Sequence, residues 1–198
     1  MKIIADVGGS RGRWLIVDKK IIKTIETNGF NPYTYKISSL NKILEITTKW
    51  FQQNLIEHEE SFQYLKKRSI SDDTIKIFRI GYSYSSKITL YNFLKNQNFN
   101  DEDIIKSNVV KVDNNKKIRD FFYKRLIFPI SNEQNKVVGF GGRVLDNSNP
   151  KYINSPESNF FKKRNILYNL NLAKHNIRKK NNLLMCEGYM DVISLYEN

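Results

Sequence analysis

The sequence has 198 residues, 40% of them hydrophobic and 13% aromatic, which suits one packed domain, or a domain plus a fragment, and excludes wholesale disorder. Its formal net charge of +13 points to a polyanionic partner, nucleic acid ahead of an anionic membrane surface. The single cysteine, Cys186, excludes an internal disulfide and a cysteine-built zinc site, and no apolar run approaches the ~20 residues that span a bilayer.

Residues 1–35 alternate between strand-like runs and turns. KIIADVG is a β-branched run, GGSRG a glycine turn, RWLIVD a second strand, and IIKTIE a third run after DKK. Two strands joined by Gly8, Gly9, Ser10 and Gly12 present backbone N–H groups to a phosphate, with Asp6 placed to hold a metal-bound water. Through ADVGGSRGRWLIVD and KTIETNGFNPY the stretch resembles the first phosphate loop of N-acetylglucosamine kinases and BadF-type ATPases. The later loops that such kinases need are not found, so a fused fragment is expected here rather than a working sugar kinase. The opening MKIIADVGG reads as a strand and not as a signal peptide, which predicts a cytoplasmic protein.

From residue 36 the periodicity turns helical. In SLNKILEITTKWFQQNL, residues Ile43, Ile46, Trp50, Phe51 and Leu55 fall on one stripe and predict a connecting helix to about residue 58. ESFQYLKKR continues as helix. Ser71 reads as an N-cap, with Asp72 and Asp73 in the first turn, for a helix that stops at Gly81. TLYNFLKNQ predicts another helix, and Asn100 caps one beginning DEDII. VVKVD reads as a strand and NNKK as a turn.

IFPIS and VVGFGGRVL form a hairpin through NEQN, with Pro129 implying an edge or a bulge. Gly139, Gly141 and Gly142 remove side chains ahead of Arg143, so that a ligand can come close and Arg143 projects towards it. PKYINSPE, held by two prolines, lies across the surface and fixes the direction of Lys151. Residues 143–180 carry nine Lys and Arg against two acids. Among the aromatics, Tyr152, Phe160 and Phe161 are either base-stacking or core residues. NLLMCEGYMDVISLYEN reads as a buried strand, a glycine turn and a helix, with Cys186 a small buried hydrophobe. It delivers Glu187 at the strand end and Asp191 in the first helical turn, two hard-oxygen donors suited to Mg²⁺.

In this order YLKKRSISDDTIKIFRIGYS, DFFYKRLIFPIS, GFGGRVL, PKYINSPE, ILYNL and EGYMDVI resemble the catalytic core of bacterial DNA primases of the DnaG type, from about residue 38 onwards. Ser69 stands where that family usually has glycine. The resemblance implies a mixed α+β and α/β fold: a helical and β subdomain over 59–180, followed over 181–198 by the first strand-helix unit of a Toprim fold. It implies Mg²⁺-dependent synthesis of RNA primers from ribonucleoside triphosphates on single-stranded DNA. Glu187 and Asp191 would serve the metal, while Arg143, Lys151 and Lys163 would serve template and triphosphate. The family completes its metal site with paired aspartates from a later strand. Its zinc module and helicase-binding region also fall outside this sequence. A fragment inactive by itself is therefore expected, with a non-catalytic single-stranded-DNA-binding module as the alternative.

Overall fold

The computed structural model describes residues 2–7, 12–18, 20–27, 32–85 and 87–198, with side chains from Ser39 onward except at position 86. The chain divides into two compact units, Met1–Leu40 and Asn41–Asn198. The first holds an antiparallel meander of β1 (Lys2–Val7), β2 (Gly12–Asp18) and β3 (Lys20–Thr27). Asp6 pairs with Arg13 in its register. Gly8, Gly9 and Ser10, which carry the phosphate-loop expectation, lie outside the described residues, as does the side chain of Asp6.

Helix α1 (Pro32–Glu57) buries four residues of the expected stripe, Ile43, Trp50, Phe51 and Leu55, with Leu44 beside them, while Ile46 is half-buried. Three short helices follow, each opened by a side chain that accepts a backbone N–H. His58 caps α2 (Glu59–Lys67), Ser71 caps α3 (Asp72–Ile77) and Thr89 caps α4 (Leu90–Asn96). Asn100 does the same for α5 (Asp101–Lys106). These caps satisfy donors that the first helical turn leaves unpaired, which is why Ser, Thr and Asn stand there. Asp120 adds a long-range cap, accepting from the backbone N–H of Leu90 at 2.9 Å and of Tyr91 at 3.1 Å.

Helix α3 does not run to Gly81. It ends at Ile77, because Arg79 takes a left-handed φ of 56° and Ile80 N–H returns to the carbonyl of Ile75. Gly81 has a different task. A Cβ there would lie 2.5 Å from Phe51 Cβ, so the strand can cross α1 only without a side chain.

Strands β5 (Val110–Val112) and β6 (Ile118–Asp120) form a small hairpin. The main sheet is antiparallel, in the order β4 (Gly81–Tyr82), β7 (Arg125–Ser131), β8 (Val137–Val144), β9 (Tyr152–Asn154). Successive side chains of β7 enter opposite cores. Ile127 joins Phe51, Leu94, Phe122 and Phe140, whereas Leu126 and Phe128 join Leu65, Ile80, Met190 and Ile193. Covered on both faces, β7 and β8 read as nearly continuous apolar runs. Each fully buried phenylalanine contributes about 1.5–3 kcal/mol relative to exposure. Pro129 lies past the end of β4, which fits the edge reading, while it stays in register with Phe140 and the pairing shifts only beyond it, between Ile130 and Ser131.

The last part of the chain holds α6 (Leu170–Lys180) and α7 (Tyr189–Glu197). The expected strand before Glu187 is absent: Leu183, Leu184 and Met185 are 50–72% exposed and take no regular structure. A strand needs a neighbour for its N–H and C=O groups, and no described strand pairs with this segment. Cys186 is correspondingly half-buried rather than enclosed. Among the described residues no helix is long and apolar enough to cross a membrane.

Candidate functional site

The site grows from two rungs on one face of the main sheet, two residues apart along each strand. Across β7, β8 and β9, register aligns Leu126 with Arg143 and Tyr152, and Phe128 with Gly141 and Asn154. Arg143 and Gly141 are two residues apart on β8 and so share a face.

On the first rung Arg143 is 8% exposed and donates from Nη1 to the carbonyl of Val144 at 3.3 Å. Its guanidinium lies 4.7 Å from the ring centre of Tyr64 and 5.8 Å from that of Tyr152. Arg68, at the end of α2, lies over the same Tyr64 ring at 5.1 Å. The four side chains alternate as Arg68, Tyr64, Arg143 and Tyr152, a ladder in which aromatic faces hold the cations in place. Burial pushes the Tyr152 phenol up, and the charge of Arg143 opposes that shift.

Arg125 supports the ladder from β7. Its buried Nη1 donates to the carbonyls of Pro150 at 3.0 Å and Lys151 at 3.4 Å, pinning the turn that carries the exposed Lys151. Lys163 lies apart from these, at the start of a single 3₁₀ turn, Lys163–Asn165, its N–H donated to Glu157 at 3.2 Å. Its side chain borders a cleft of about 570 Å³ that is also lined by Tyr152, Asn154, Glu187 and Tyr189. The structure thus groups Arg143 with the Lys151 turn, and Lys163 with Glu187. None of Arg68, Arg143, Lys151 and Lys163 forms an ion pair among the described residues, whereas Lys66, Arg79, Lys87, Lys95, Lys106 and Arg119 do.

The glycines before Arg143 do not open room for a ligand. Rings of the chain fill their space: Phe161 against Gly139, Tyr189 against Gly141 and Phe122 against Gly142. Of the three aromatics considered for base stacking, Phe161 is core at 2% exposed and Phe160 is half-buried, leaving Tyr152 accessible at 38%.

Glu187 and Asp191 flank the start of α7 and both are exposed. Asp191 folds back over Gly188, where a Cβ would meet its Oδ2 at 2.9 Å. Between the two acids, Tyr189 is buried deeply enough to push its phenol up to about 12. Two carboxylates with hard oxygens fit Mg²⁺ only together with substrate phosphates, and among the described residues no group of three or more metal-binding side chains gathers. Arg68 and Tyr64 are the functional candidates that sequence reading passed over. A cation beside an aromatic four residues earlier on one helix is the local signal, but Arg143 comes to them from 75 residues away.

Residues 50–174 match the family model described as DNA primase catalytic core, N-terminal domain. The DNA primase of Clostridium acetobutylicum is 36% identical over 182 residues, covering 90% of this chain and 30% of that protein. The DNA primase of Campylobacter jejuni is 38% identical over 159 residues, covering 80% of this chain and 26% of its own. The Clostridium alignment extends into the first forty residues, ahead of the family match. Among solved structures, the DnaG primase catalytic domain bound to ssDNA superposes with a TM-score of 0.73 at 34% identity, covering 83% of this chain and 54% of that one. The chain therefore spans about 30% of these curated relatives and about half of the solved catalytic domain.

Proposed function

Since the chain belongs to the DNA primase catalytic core N-terminal domain family, we propose that its basic face holds a single-stranded DNA template for the synthesis of RNA primers. The observation that carries this reading is the ladder of Arg68, Tyr64, Arg143 and Tyr152, two cations braced by rings and unmatched by carboxylates. Arg68 is exposed and without a carboxylate partner among the described residues, so it is available to phosphates, the enclosed Arg143 adds its charge from beneath, and Tyr152 offers a face to a base. The solved relative bound to ssDNA supports the template role.

In the longer proteins, ribonucleoside triphosphates would enter beside Lys151 and Lys163, and a replicative helicase would deliver the template in the cytoplasm. Mg²⁺ fits Glu187 and Asp191, and when bound it supplies positive charge against the phosphates. Glu187 and Asp191 orient that charge, Arg143 and Lys151 hold the polyanion, and Tyr152 limits its tilt. In this division residues 59–180 hold DNA, residues 181–198 begin the acidic half, 36–58 connect, and 1–35 remain a separate hairpin unit. With two acids at the site, binding without turnover is the expected behaviour of this chain alone.

Fluorescence anisotropy of a labelled single strand across a salt series tests the reading. Affinity should fall steeply as salt rises, and Arg143→Ala should weaken it by about tenfold, the loss of one charge-assisted contact with its ring support. Affinity indifferent to both salt and Arg143→Ala overturns it.

A further inference from the structure

Tyr189 lies over the second rung of the sheet and touches all three of its strands. Its ring stacks on Phe128 of β7, with centres 5.2 Å apart and planes 10° apart. It occupies the notch at Gly141 of β8, where a Cβ would stand 2.5 Å from Cε2. Its hydroxyl bonds to Asn154 Oδ1 of β9 at 2.5 Å, and Tyr168 closes edge-on at 4.7 Å. Neighbouring rungs on one face are about 7 Å apart along a strand, and the Tyr152 and Tyr189 ring centres are 6.4 Å apart.

We infer that Tyr189, seated in the Gly141 notch, is a positioning residue that sets the spacing between the Glu187 and Asp191 carboxylates and the Arg143 cation. Chain order puts one carboxylate two residues before the ring and the other two residues after it. Once the ring is seated, the acidic segment is held along the strands, since one rung one way it would meet the Arg143 side chain and one rung the other way the Gly139 notch that Phe161 fills. The exposed, irregular run of Leu183, Leu184 and Met185 offers no second anchor on the N-terminal side. The link to function rests on the template reading above, although the spacing itself can be measured without nucleic acid.

The test uses the full chain with Cys186→Ser and spin labels at Asn147→Cys and Leu195→Cys, both exposed positions, read by pulsed electron double resonance. Wild type and Tyr189→Phe, which keeps the ring, should give the same narrow distance distribution. Gly141→Ala should broaden or shift it, although α7 is untouched. Phe122→Leu, a core truncation on the opposite face of β8 from Tyr189, should lower the melting temperature and leave the distribution narrow. A Gly141→Ala distribution identical to wild type, or equal broadening by Phe122→Leu, overturns the inference. Anisotropy with single-stranded DNA on the same proteins separates the two readings. Wild type that ignores DNA while Gly141→Ala still broadens removes the template and keeps the spacer.

Discussion

Ser69 has a φ of 58°, directly after Arg68 closes α2. Its N–H returns to Lys66 at 2.8 Å and that of Ile70 to Leu65 at 3.2 Å, so the left-handed turn is enforced by hydrogen bonds and by burial of Ile70. An L-residue there pays a steric cost of about 1–2 kcal/mol that glycine avoids. Ser69→Gly should stabilise the chain by about 0.5–1 kcal/mol after the added freedom of the unfolded state is deducted. That raises the thermal midpoint by about 1–4 °C; an unchanged or lower midpoint in calorimetry refutes the strain. The substitution leaves Arg68 on its ring and should not alter DNA affinity. At this scale the sequence was informative where partners were near in the chain: Ser71 and Asn100 were legible as caps because the donor each accepts lies three residues on. The filling of the glycine notches was not legible, since Gly141 meets a ring 48 residues later.

At the scale of elements, α7 docks through both ends. Tyr189 seats its start. At its end Glu197 accepts from the N–H and the hydroxyl of Ser71, both at 3.0 Å, while Tyr196 packs edge-on to Phe78 at 5.1 Å. The Ser71 N–H, first among its donors, holds the Glu197 carboxyl below its ordinary value of 4.5. A depressed carboxylate stabilises the fold fully above that ordinary value and loses the contribution as pH falls through its lower folded value. Denaturant titrations from pH 6 downward should therefore show wild type losing more stability below 4.5 than Glu197→Gln does. Parallel curves would mean that the contact carries no linked proton. The existence of α7 was readable from EGYMDVISLYE. Its attachment to the cap of α3 was not, because Ser71 already had a sufficient local role.

For the whole molecule, helices and hairpin were legible where periodicity alone decides them, and the Toprim-like strand was expected from apolar content that the fold leaves uncovered. Leu183, Leu184 and Met185 have strand-like composition, but their backbone finds no described partner. Hydrogen exchange should rank the chain accordingly. Amides of β7 and β8, buried on both faces, should be the last to exchange, and those of residues 183–185 should exchange within the shortest labelling times. Protection of residues 183–185 comparable to β8 would contradict the exposed arrangement.

Arg125 has a consequence for how this surface meets a polyanion. Its guanidinium is 8% exposed and hydrogen-bonds to main-chain oxygens beneath the Lys151 turn. Small ions crowd around surface lysines and are displaced on binding, yet they barely reach an enclosed charge. The fields of Arg125 and of the equally enclosed Arg143 would therefore persist at ionic strengths that silence Lys151, and if the face takes up a strand as proposed, a count of displaced counterions would miss both.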